Sequence, residues 1–156
     1  MSRTIYLVVY NSRLFPAHWS LWIPSAGNPN IGKRIHAQGD VATGFEICFE
    51  RNYDIGQTSR KHEVFPLADV DSAHVVDTPG DGSPSVDQEP KDKLETIALS
   101  IPAPGPSLLP FQSRTSEAKV EIKNCQTWLI DAVHEFHKEG IVNDNALRII
   151  MNAPKH

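Results

Sequence analysis

The sequence predicts an α+β fold in which an antiparallel β-meander packs against a C-terminal helix that opens on a cysteine. Two observations carry this. Short apolar–polar alternating runs, broken by turn residues, fill the first half, whereas residues from Cys125 onward repeat their apolar positions at helical spacing. A third observation separates the halves: seven of the twelve prolines fall between Pro79 and Pro110.

Thr4 to Tyr10 is β-branched and aromatic, and Asn11 and Ser12 follow as a turn. His18 to Pro24 alternates, with Trp19, Leu21 and Ile23 on one face and His18, Ser20 and Trp22 on the other. Gly27, Asn28, Pro29, Asn30 and Gly32 then form a turn, and Lys33 to Gln38 is the return strand. Phe45, Ile47 and Phe49 alternate with Glu46, Cys48 and Glu50 as a further strand, and Glu63 to Leu67 adds a short one. Residues 77–90, rich in Pro, Gly and Asp, are expected to be a solvated, mobile loop. Leu94, Ile97, Ala98 and Ile101 predict a helix over Lys91 to Ser100, with Pro90 suited to its start. In the last third Trp128, Leu129, Ala132, Val133 and Phe136 predict a helix from Cys125, capped by Asn124 and stopped at Gly140. Asp144 to Asn152, capped by Asn143, is the final helix.

Composition narrows function. With 156 residues the expectation is one domain, 1–156, able to bury about 70% of its unfolded surface. Nineteen acidic against fifteen basic residues argue against nucleic-acid binding. Two cysteines are too few for a disulfide scaffold or a Cys-rich zinc site. The apolar run Ile5 to Val9 is too short for a secretion signal, and no stretch reaches the ~20 apolar residues of a membrane span. A cytoplasmic protein with free thiols is expected. Phosphate-loop, dinucleotide and nucleophile-elbow motifs are missing, and His134 with His137 makes a weak metal motif, so no metal or cofactor is expected.

Cysteine chemistry is what remains. Cys125 sits just after a helix cap, where unpaired N–H groups and the helix dipole favour a thiolate, so a depressed pKa is expected. The same position also suits a buried inert thiol. Cys48, mid-strand between Ile47 and Phe49, reads as packing. His18 and His36 lie on adjacent strands and can meet, one as base and the other as its orienting partner, although both also suit ordinary polar strand positions. Trp19, Trp22 and Trp128 suit a pocket for a small-molecule substrate, although core packing suits at least two of them better.

These residues resemble a known family. His18-Trp19-Ser20-Leu21-Trp22-Ile23, followed by Gly32 and His36, resembles the His-Trp-x-Leu-x-Val…His pattern of circularly permuted papain-like proteins, the lecithin:retinol acyltransferase and NlpC-related group. Asn124-Cys125-Gln126-Thr127-Trp128 is similar to their Asn-Cys-x-x-Phe/Trp block, and PPPDE-type peptidases share the permuted order. The resemblance covers residues 18–39 and 124–136. It implies Cys125 as nucleophile, His18 as base and His36 as its orienting group, with Trp19, Trp22, Asn124, Gln126 and Trp128 at the substrate. The implied activity is a thiol hydrolase or acyltransferase acting on a small ester, thioester or amide. The alternative is a metabolite-binding protein, or a cyclase or isomerase, using the same aromatic pocket. Gln126 and Thr127 stand where the acyltransferases carry Glu and His, which points away from a phospholipid substrate. The whole is similar to small fungal proteins, which implies a place in biosynthesis.

Overall fold

The computed structural model describes residues 2–13, 16–40, 42–57, 60–105 and 124–156. Among these residues, six strands form one antiparallel sheet: β1 (Ser2–Tyr10), β2 (His18–Pro24), β3 (Ile31–Asp40), β4 (Gly44–Asp54), β5 (His62–Asp71) and β6 (Ser85–Asp87). Their order across the sheet is β5-β1-β2-β3-β4-β6. The first four strands are the predicted meander, and β5 returns to pair with β1 at the far edge. Three α-helices follow among the described residues: α1 (Lys93–Ser100), α2 (Cys125–Lys138) and α3 (Asp144–Asn152). The fold class is α+β, as the alternation and helical spacing predict.

Strand alternation decides where the core sits. Ile5, Leu7 and Val9 of β1 and Trp19, Leu21 and Ile23 of β2 share one sheet face with Leu94 and Ala98 of α1, Trp128, Leu129 and Phe136 of α2, and Ala146 and Ile150 of α3. Burying each large side chain contributes about 2 kcal/mol. The next residues along, Val8, Tyr10 and Trp22, form a smaller cluster with Tyr6, Tyr53 and Ile55. Gly32 is required where β3 crosses Pro24, because a Cβ there would lie 2.2 Å from the Ile23 carbonyl oxygen.

The helix ends are locally encoded. The Asn124 side chain accepts from the Gln126 and Thr127 N–H groups, while Thr127 Oγ1 accepts from the Asn124 N–H, a complete capping box. Gly140, at φ 76°, turns the chain at the other end, and the Ile141 N–H reaches back to the Phe136 carbonyl at 2.8 Å. Residues 77–90, expected as a solvated, mobile loop, include one short strand. They contribute β6, which pairs with β4, and Asn52 donates to the Pro79 and Ser83 carbonyls. Side chains there are largely exposed, but the main chain has partners that the composition does not reveal. Pro106 and Pro110 lie outside the described residues.

Candidate active site

His18 opens β2, and His36 lies on β3, the next strand in the sheet. Both project from the face opposite Trp19 and Leu21. Their rings meet edge to face, centroids 5.0 Å apart, with His18 Nε2 2.8 Å from His36 Nδ1. The other nitrogen of His36 is 3.2 Å from Glu50 Oε1 on β4. Arg34, directly across from Glu50, grips both carboxylate oxygens, Nε to Oε2 at 2.8 Å and Nη2 to Oε1 at 2.7 Å. Its Nη1 donates to the Tyr10 hydroxyl at 2.8 Å.

This chain fixes proton positions. Burial pushes the Glu50 carboxyl up, but hydrogen bonds from His36 and Arg34 outweigh it and hold the group at about 2. An ionised carboxylate only accepts, so His36 Nε2 carries hydrogen. When both rings are neutral, His36 Nδ1 must then accept from His18 Nε2–H. The nitrogen of His18 left with a lone pair is Nδ1.

Cys125 is the first residue of α2 and is only 6% exposed. Its thiol donates to the Ala17 carbonyl at 3.9 Å, and the Trp19 and Gln126 N–H groups also face the sulfur. Main-chain groups on both sides of His18 therefore touch it, although its hydrogen-bond acceptor is the Ala17 carbonyl rather than the His18 ring. The expectation of a depressed thiol pKa is corrected. Burial pushes Cys125 up, and the Trp19, Gln126 and Cys125 N–H groups and the Arg60 charge only partly oppose it. His18 is pushed down to about 3 by burial first, then by His36, Arg34 and Arg60. At neutral pH the site holds a neutral thiol and a neutral imidazole, not an ion pair.

The expected substrate-contacting residues fall elsewhere. Trp19 is fully buried and donates its indole N–H to the Pro154 carbonyl, and Trp128, 1% exposed, donates to the Ile101 carbonyl. Trp22 belongs to the cluster on the other sheet face. The three tryptophans therefore do not share a pocket, because alternation along β2 sends Trp19 and Trp22 to opposite sides. Asn124 is spent on the helix cap, and Gln126 Nε2 donates to the Ala17 and Lys155 carbonyls at 2.8 and 2.9 Å. Gln126 thus ties the chain end to the segment that enters β2. An open cavity of about 460 Å³ is lined instead by His18, Arg34, His36, Gln38, Gly39, Glu50 and Arg60. Cys48 is buried beside this polar side, and burial, then Glu46 and Glu50, pushes its thiol up. Among the described residues, no three His, Cys, Asp or Glu side chains converge as metal ligands.

Glu50 and Arg34 escape sequence reasoning. Arg34 and His36 are two apart on one strand, as are Cys48 and Glu50 on the next, so each pair shares a face. Only the strand register, which sets Arg34 against Glu50, joins them.

The His18 environment has a measurable consequence. The unfolded chain protonates this ring below its ordinary 6.5, whereas the folded chain resists until about 3. Stability present above 6.5 is therefore lost as pH falls towards 3, and Glu50 adds a lower limb between 4.5 and about 2. Between about pH 6.5 and 5, above the carboxylate limb, urea denaturation should show a loss of roughly 2 kcal/mol. His18→Gln should flatten that slope; an unchanged slope would show that the buried ring is not its source.

The family model described as "Family of unknown function (DUF6540)" matches residues 5–143, and the chain belongs to that family. The matched span takes in His18, His36, Glu50 and Cys125. No curated protein and no solved structure matches the chain.

Proposed function

We propose that this member of the DUF6540 family is a cysteine-dependent hydrolase or acyltransferase of permuted papain-like type, acting in the cytoplasm on a small ester, thioester or amide. The observation that supports it is the convergence at His18. Its ring ends a hydrogen-bonded chain anchored on Glu50, and the peptide groups before and after it both contact the Cys125 sulfur. The cavity beside that ring has the volume of a small-molecule site. No helix among the described residues is long and apolar enough to cross a membrane.

The chemistry follows from the two neutral groups. The mechanism requires the thiol to leave the Ala17 carbonyl and reach His18 Nδ1, which then takes the proton as sulfur forms a bond to the acyl carbon. The Trp19 and Gln126 N–H groups beside the sulfur are the nearest donors for the oxyanion. Collapse breaks the bond to the leaving group, which departs with the proton from His18. Water or an acceptor nucleophile, deprotonated by the same ring, then attacks the thioester and releases Cys125 as a thiol. His36 and Glu50 hold the reactive tautomer of His18 and do not touch substrate.

Incubation with a short-chain p-nitrophenyl ester tests this directly. Intact and peptide mass spectrometry should find one acyl group on Cys125, absent from Cys125→Ser. Iodoacetamide alkylation of Cys125 should accelerate from about pH 7 to above 9, because the resting thiol is neutral. An acyl group confined to other side chains, or a Cys125 that neither acylates nor alkylates, would overturn the proposal.

A further inference from the structure

The hydrogen bonds behind His18 do not end at Glu50. Arg34 spends Nε and Nη2 on the two Glu50 oxygens, and its Nη1 donates to the Tyr10 hydroxyl at 2.8 Å. Tyr10 stands directly across from His18 in the β1–β2 register, and its ring packs on the imidazole with centroids 5.9 Å apart. The contacts therefore close on themselves, running from His18 through His36, Glu50, Arg34 and Tyr10 back to His18. Because β1 and β3 flank β2, the bond between Tyr10 and Arg34 spans the strand that carries His18. Tyr53 holds the guanidinium from a further side. Its ring centroid lies 4.3 Å from the Arg34 guanidinium carbon, and its hydroxyl is 3.0 Å from that of Tyr10. In a circuit of this kind no member pivots without breaking a contact on each side.

The direction of these bonds matters as much as their number. In the reactive arrangement each proton points towards Glu50: His18 Nε2–H to His36 Nδ1, and His36 Nε2–H to the carboxylate. In the inverted arrangement His36 donates from Nδ1, and His18 carries hydrogen on Nδ1, the atom that must accept from the thiol. Inversion needs a donor beside His36 Nε2, either a protonated Glu50, with one proton taken up, or a water in place of the carboxylate. Arg34 opposes both. A guanidinium only donates, so its two bonds keep the carboxylate ionised and hold it against His36.

We propose that Arg34 and Tyr10 are positioning residues of this site: Arg34 sets the direction of the hydrogen bonds that reach His18, and Tyr10 holds Arg34 while bearing on the His18 ring. The inference rests on the hydrolase or acyltransferase reading and adds two residues that act through its base.

Nitrogen-15 NMR of the histidine side chains reads the tautomers in the resting protein, independently of turnover. Spectra are taken at about pH 8, above the ordinary imidazole range, with signals assigned from His18→Gln and His36→Gln. The wild-type protein should carry hydrogen on Nε2 of both rings. Arg34→Met should convert part of both rings together to the Nδ1–H form, and Arg34→Lys, which keeps the charge but not the fork, should convert less. Tyr10→Phe keeps the ring against His18 and removes only the hydroxyl, so its change should be the smallest. If Arg34→Met does not fold, Arg34→Lys and Tyr10→Phe carry the same comparison. Acylation of Cys125 by the p-nitrophenyl ester should slow about tenfold in Arg34→Met and about threefold in Tyr10→Phe, with KM nearly unchanged. Neither substitution should slow His18→Ala any further, because the effect passes through that ring. Hydrogen on His18 Nδ1 in the wild-type protein, tautomers unchanged in both Arg34 variants, or an equal slowing in the His18→Ala background would overturn the positioning role alone. A wild-type Cys125 that takes no acyl group would remove the enzymatic reading and this inference with it.

Discussion

Glu95→Ala is expected to cost about 3–5 kcal/mol of folding stability, a third or more of what a domain of this size possesses. The Glu95 side chain is fully buried. Its carboxylate accepts from Arg51 Nη1 and Nη2 at 2.5 and 2.7 Å, from Lys33 Nζ at 2.6 Å and from the Lys91 N–H at 2.9 Å. Burial alone would raise its pKa, but the Arg51 and Lys33 contacts hold it below the ordinary value, so it stays ionised. Lys33 also bonds Asp92, the N-cap of α1, and the Val76 carbonyl. Two anions therefore face two cations in a nearly water-free cluster that fastens α1 to β3 and β4. Removing Glu95 leaves Arg51 with only the partly exposed Asp87 carboxylate at 3.3 Å and the Glu89 carbonyl at 3.1 Å, and leaves Lys33 with half its counter-charge. Urea denaturation measures the effect as a lower midpoint at unchanged slope. Replacing Lys33, Arg51 and Glu95 together with apolar residues of similar volume, and Asp92 with the neutral cap Asn, should recover most of the loss, since the penalty is the uncompensated charge. A loss below about 1 kcal/mol in Glu95→Ala would mean that water reaches the cluster.

His18→Ala should lower kcat for acyl transfer by about 10²–10⁴, the usual contribution of a positioned general base, with KM changed far less. Glu50→Gln tests the chain behind it. An amide presenting N–H to His36 Nε2 would move the His36 proton to Nδ1, reverse the bond to His18, and leave a proton on the nitrogen that must accept from the thiol. The expected result is a fall in kcat of about 10–100-fold with acyl-enzyme formation slowed at every pH. A purely structural Glu50 would instead lower stability and leave the rate of the folded enzyme intact. Retention of full acylation by His18→Ala would remove it as the base.

The path from sequence to site was legible in parts. The Asn124 cap, the Gly140 stop and the bounds of α3 follow from residues within one turn of each other, and each is found where it is read. Faces of β2 are equally local: Trp19, Leu21 and Ile23 go to the core while Trp22 does not. The meeting of His18 and His36 follows from a hairpin with a recognisable turn. Glu50 does not follow, because the hairpin from β3 to β4 carries a register shift between Gly32 and Arg34, and a single residue of slip would send Glu50 to the other face.

Local periodicity by itself determined the α+β class, the helix that opens on Cys125 and the strands that carry the two histidines. Tertiary structure decided the rest. It set β5 beside β1, drew β6 out of the acidic loop, put the tryptophans to structural use and lined the cavity with arginines. It also reversed the electrostatics of Cys125. A helix N-terminus acts over one turn and is visible in sequence, whereas desolvation depends on every element packed around the sulfur. Here desolvation is the larger effect, and the thiol rests neutral.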